Sequence, residues 1–140
     1  MKLVADTNTL VSGFLWDGLP SRLLDAGLTG RCSLYTSDEL LVELDETLHA
    51  PKFSERLSSR GHSAESLVRK FRQACHEIPP PPPVVAPDLR DADDLHVLAC
   101  AVAVPVDLIV SGDKDLLILQ SFQGIPIVTA RRALEILGLS

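Results

Sequence analysis

Two stretches decide how this chain is read: Leu3-Val4-Ala5-Asp6-Thr7-Asn8 near its start, and Ile109-Val110-Ser111-Gly112-Asp113-Lys114-Asp115 far down it. Each is a short apolar run that ends in carboxylates. A run of this length bounded by turn residues reads as a buried strand. In an open α/β sheet, the ligand site lies outside the carboxyl ends of the strands. Two adjacent parallel strands ending in aspartate set their carboxylates a few ångströms apart, where they repel. A cation that joins them removes the repulsion. The pattern therefore points to a divalent metal and to hydrolysis of a phosphodiester.

Working outward, residues 9–16 and 19–29 read as two helices punctuated by Gly18 and Pro20. Leu23, Leu24 and Leu28 recur at helical spacing, and Gly30 suits a helix end. Ser33–Thr36 reads as a second strand, and Ser37 as the cap of a helix carrying Leu40, Leu41, Leu44 and Leu48. Pro51 ends or kinks that helix. Residues 54–60 and 63–77 suggest a helical hairpin broken at Gly61. Five prolines, 79–83, favour an extended conformation: either a recognition motif or a stiff connector. Beyond them come a helix at 93–104, a strand at 107–111, a helix at 114–120, a strand at 126–129 and a helix at 131–138. Strands alternating with helices mean βαβ units around a central parallel sheet. One domain, residues 1–140, is expected.

Composition agrees. The chain has 140 residues, 46% of them hydrophobic and only 4% aromatic, so the core must be aliphatic. A net charge of −6 argues against bulk electrostatic binding of nucleic acid, though not against a local basic surface. Cys32, Cys75 and Cys100 form no paired pattern, which speaks against a disulfide framework or a zinc site. No signal segment opens the chain, and no stretch approaches the roughly 18 apolar residues of a membrane span. A cytoplasmic protein is expected.

Four acids stand out, each with a plainer reading beside the functional one. Asp6 suits a helix cap as well as a metal site. Glu43 lies among Asp38, Glu39, Asp45 and Glu46, a possible solvated face, yet it borders the stripe of Leu40 and Leu44. Asp94 precedes Val97 by three and Leu98 by four residues, which puts it on the buried side of its helix; Asp88, Asp91 and Asp93 are the alternative caps. Asp113 and Asp115 share a turn, so that one can bind metal while the other caps. Lys114 between them either touches phosphate or is solvated. His96 reads as a surface or internally satisfied histidine. No Ser-His-Asp arrangement, Walker A loop or G-x-G-x-x-G competes.

The chain resembles the PIN-domain family. The resemblance rests on Val4-Ala5-Asp6-Thr7-Asn8 with Val11-Ser12, on Ser37-Asp38-Glu39-Leu40 leading to Glu43, on Asp91-Ala92-Asp93-Asp94 with Leu98-Ala99 and Ala101, and on Leu108 to Leu116. It spans essentially the whole chain. It implies a single-domain three-layer α/β/α fold and a Mg2+- or Mn2+-dependent endoribonuclease, similar to the toxins of toxin–antitoxin pairs. It implies Asp6, Glu43, Asp94 and Asp113 as the catalytic, metal-binding quartet, with Asp115 as a further metal ligand and Asp93 as the alternative to Asp94. Asn8, Ser111 and Lys114 are then the substrate-binding positions. The implied partners are RNA, a cognate antitoxin and a second copy of the chain.

Two other functions compete. A phosphatase of the haloacid-dehalogenase type also uses a strand-end aspartate, but it needs a second acid two residues later, where Asn8 stands. A catalytically inactive PIN-like interaction module would be expected to break the quartet, which is intact. Two surface features add expectations. Residues 52–72 carry Lys52, Arg56, Arg60, Arg69, Lys70 and Arg72 against Glu55 and Glu65, a basic island suited to RNA or an ordinary solvated face. Trp16 is either core or the centre of a homodimer or antitoxin interface.

Overall fold

The computed structural model describes residues 1–139. The elements run β1 (Lys2–Ala5), α1 (Thr7–Leu15), α2 (Leu19–Leu28), β2 (Ser33–Thr36), α3 (Asp38–Leu48), α4 (Pro51–Ser59), α5 (Ala64–Ala74) and β3 (His76–Glu77). There follow α6 (Ala92–Ala103), β4 (Leu108–Val110), α7 (Lys114–Leu117), β5 (Ser121–Phe122), β6 (Ile125–Val128) and α8 (Ala130–Leu137). The six strands form one sheet in the order β3-β2-β1-β4-β6-β5, parallel except for the last pair.

Alternation along the central strands splits the core in two. Leu3, Ala5, Leu108 and Val110 point to one face, packed by α1, α2, α3, α5 and α8. Val4 and Ile109 point to the other, packed by α6 and α7. This is the expected α/β/α sandwich.

Winding sets the site. The chain runs β1 to β2 to β3 in one direction, then returns to the other side of β1 for β4 and β6. The reversal makes the C-terminal ends of β1 and β4 the topological switch point, where such sheets bind ligands. Register carries both acidic motifs to that point: Ala5 pairs with Val110, and the Asp6 N–H donates to the Val110 carbonyl at 3.0 Å.

Three local features depart from the sequence expectations. Pro51 opens α4 instead of ending the helix before it, because its missing N–H is not needed at a first helical position. The helix expected to reach residue 77 stops at Ala74, and His76–Glu77 pair with Tyr35 and Thr36 as an edge strand. The Ile78 N–H extends this pairing to the Thr36 carbonyl at 2.9 Å, and the prolines that follow favour extended backbone. The stretch 120–124, read partly as helix and otherwise left unassigned, holds β5 and a hairpin turn. Gln123 and Gly124 both take positive φ, 47° and 81°, as a two-residue turn of the primed kind requires.

The proline run is a strap. Ile78, Val84 and Ala86 pack on the α6 side of the sheet, and Pro81 and Pro83 share the lining of a cleft with Leu95, His96 and Ala99 of α6. This is the stiff-connector reading.

On the opposite side, α1 and α2 approach closely at Gly13, where an added Cβ would sit 2.9 Å from the Pro20 carbonyl oxygen. In an isolated helix, Gly→Ala stabilises by about 1 kcal/mol. Here the obstacle is backbone, and overpacking costs about 1–3 kcal/mol. Gly13→Ala is therefore expected to lower the thermal midpoint, as read by circular dichroism.

Candidate active site

Three of the four carboxylates, Asp6, Asp94 and Asp113, are positioned by helix starts, and Glu43 lies midway along α3. Asp6 caps α1: its Oδ1 accepts the Thr9 N–H at 2.9 Å. The plain and the functional readings of Asp6 therefore coexist, since Oδ2 remains for other work. It accepts a short hydrogen bond from the Ser111 hydroxyl. Ser111 Oγ in turn accepts the Asp113 N–H at 2.9 Å, which ties the end of β1 to the turn after β4. Asp113 caps α7 by accepting the Asp115 N–H at 2.9 Å. Asp91 caps α6 through the Asp93 N–H, which frees Asp94 to turn inward.

Burial is extreme for acids. Asp6 and Asp94 are each only 6% exposed. Asp94 is pushed up to about 7 by burial first, then by the charge of Asp113 and a hydrogen bond with it, then by Asp91 and Asp6. Glu43, half-buried on α3, is also pushed up to about 7. Burial dominates again, with Asp93 adding charge and a shared hydrogen bond, while the Thr7 hydroxyl pulls the other way. Both candidates at this turn lie near other acids, Asp93 by Glu43 and Asp94 by Asp113.

Carboxyls brought together at a desolvated site favour keeping a proton, as the raised values of Glu43 and Asp94 reflect. Glu43 Oε2 is buried with no partner at all. Unfilled carboxylate lone pairs in a pocket of oxygen donors suit a hard divalent cation such as Mg2+ or Mn2+, and Asp6, Glu43, Asp94 and Asp113 fit it chemically. Among the described residues, no three acidic, histidine or cysteine side chains are already drawn into a ligand set. Asp115 is exposed, on the solvent side of the Asp113 turn.

Beside the acids lies an open cleft of about 600 Å³. Asn8, Ser111, Asp113 and Lys114 line it, as do Thr9, Ser12 and Thr129. All three positions expected to bind substrate thus share one wall with an acid of the quartet. Thr129 and Ser12 were not anticipated. Thr129 had a signal: it ends β6 and caps α8, the same strand-then-cap pattern as Asp6.

The acids thus gather at the switch point of a mostly parallel sheet, beside an open cleft, in an α/β domain. The sequence model of the PIN domain matches residues 2–115, and the chain belongs to that family. PIN domains are generally nucleases and typically use divalent metal ions. No curated protein matches the chain. Among the described residues no helix is long and apolar enough to cross a membrane.

Glu43 and Asp94 ionise near 4 when unfolded and near 7 when folded, so the folded state binds more protons between those values. Their contribution to stability is complete below about pH 4 and is lost as pH rises through about 7. Metal-free protein should therefore melt at a falling temperature across this window. Glu43→Gln and Asp94→Asn should flatten the slope, and magnesium should raise the midpoint of wild type at pH 8 but not of Asp6→Asn. Differential scanning calorimetry at several pH values reads all three.

Proposed function

We propose that this domain is a Mg2+- or Mn2+-dependent endoribonuclease that hydrolyses RNA phosphodiester bonds with water as the nucleophile. The observation that carries the reading is the set Asp6, Glu43, Asp94 and Asp113, two buried and two half-buried, short of counter-charge, beside a cleft lined by Asn8, Ser111 and Lys114. Asp6, Glu43, Asp94 and Asp113 would hold the metal, and a bound ion supplies an acidified water and offsets phosphate charge. Ser111 holds Asp6 and the Asp113 backbone in one arrangement. Thr7 orients Glu43. Lys114, exposed at the cleft, offers a cation to a phosphate that its acidic neighbours would otherwise repel. Ser111, the serine bonded to Asp6, is buried with its Oγ engaged by the Asp113 N–H, which favours water over a side-chain nucleophile. The family match leaves the phosphatase reading without support.

Asp6→Asn and Asp94→Asn are expected to keep the fold and to lose cleavage of a labelled RNA by at least a hundredfold. Even outer partners of metal ligands cost about 10–100-fold. Full activity in either variant, or a trapped covalent phospho-enzyme, overturns the reading.

We further read the protein as the cytoplasmic toxin of a toxin–antitoxin pair, restrained by an antitoxin segment that sets a basic side chain among the carboxylates. Support for this comes from the resemblance and from the pocket's need of a cation. A homodimer belongs to the same reading. Because the exposed ring of Trp16 carries Arg56 over it, with Lys52 over the neighbouring Phe53, the dimer contact is expected elsewhere, and Trp16→Ala should leave it intact. Light scattering at micromolar concentration should return two chains for both proteins; a monomer ends the dimer.

A further inference from the structure

The side of α1 that faces water leads away from the acidic pocket to a second feature. Within α1, only Asn8, Thr9 and Ser12 escape burial, and Asn8, Thr9 and Ser12 line the cleft. One turn past Ser12, whose carbonyl accepts the Trp16 N–H at 3.0 Å, stands Trp16, 43% exposed. Trp16 meets Phe53 of α4 edge to face, with ring centroids 6.0 Å apart. Arg56 lies 5.5 Å over the indole and is pinned there, since its Nε donates to the Leu15 carbonyl at 2.6 Å. Lys52 sits 5.1 Å over the Phe53 ring and is otherwise free to solvent. Of the acids at this end, Asp17 is paired with Arg60 at 3.5 Å and Glu55 is exposed on α4.

The structure also sorts the basic island. Arg56 and Arg60 are held at this end of α1, and Arg72 pairs with Glu77. A rigid indole and phenyl pair, backed by Lys52 and Arg56, makes a positive aromatic spot on a chain of net charge −6.

We propose that Trp16, Phe53, Lys52 and Arg56 form a docking platform for single-stranded RNA, distinct from the cleavage centre. The proposal rests on the reading of RNA as substrate and adds where the rest of the strand lies. A second copy of the chain is the poorer occupant: a two-fold contact sets a patch against itself, and Lys52 and Arg56 would meet their own duplicates. An anionic strand with exposed bases answers both halves of the spot, bases on the rings and phosphates on the cations. From Asp6 to Trp16, α1 rises about 15 Å. A strand covers that distance within the roughly 4–16 nucleotides that single-strand-binding surfaces engage.

Trp16 is the chain's single tryptophan, so its emission reports on this platform alone. The test titrates full-length protein with an oligoadenylate of about twelve nucleotides, in chelator so that no cleavage occurs. Saturable quenching is expected, weakened by added salt and shifted at least about tenfold to weaker binding in Lys52→Glu. A polyglutamate peptide should leave the emission unchanged. No quenching, equal quenching by polyglutamate, or an unaltered Lys52→Glu titration overturns the platform. Cleavage is measured separately with magnesium or manganese. RNA cut without any response of Trp16 overturns the platform and leaves the nuclease standing. A Trp16 response that behaves as expected, with no cutting under either metal, supports the platform and removes the nuclease reading.

Discussion

Register between β1 and β4 places Asp6 beside Ser111 and Asp113, and α6 turns Asp94 into the same space. The rest of the domain must hold these acids together against their own repulsion. Two unit charges about 4 Å apart, at an effective dielectric near 20, repel by about 4 kcal/mol. One hydrogen bond to a charged group returns about 1.5–3 kcal/mol. Single hydrogen bonds therefore do not balance the cluster, and protons or a cation must. The raised ionisation of Glu43 and Asp94 is the proton solution, and the orphaned Glu43 oxygen marks where it falls short.

The frame around the pocket is correspondingly rigid. Two acids of the quartet, Asp6 and Asp113, double as helix caps, so each carboxylate is anchored by a backbone N–H and cannot swing away from its neighbours. Ser111 ties the two chain segments by donating to one and accepting from the other. The proline strap presses on α6, the helix that delivers Asp94, and the Gly13 contact holds α1 against α2. The aromatic and cationic spot lies at the far end of α1 from Asp6.

Much of this was legible in residue order. Strand-end acids, the leucine stripe of α3 and the glycine and proline punctuation report local structure, and local structure follows local rules. They yielded the α/β class, most helices and the quartet as candidates. Boundaries failed where two rules competed. Pro51 serves equally to stop one helix and to start the next, and His76–Glu77 became a strand only because β2 offered an unpaired edge.

The sequence by itself determined which groups are present and their local setting: carboxylates at the ends of apolar strands, an aliphatic core, a basic stretch after Pro51. Tertiary structure alone decided who meets whom. Asp93 and Asp94 are adjacent in the chain, yet they face Glu43 and Asp113 respectively, because successive residues on a helix point about 100° apart. The six basic residues of 52–72 read as one island, yet packing assigns Arg56 to Trp16, Arg60 to Asp17 and Arg72 to Glu77. Ionisation belongs to the same category. A carboxylate is acidic in any sequence; burial beside another carboxylate, which only the folded chain imposes, is what makes it hold its proton to about pH 7.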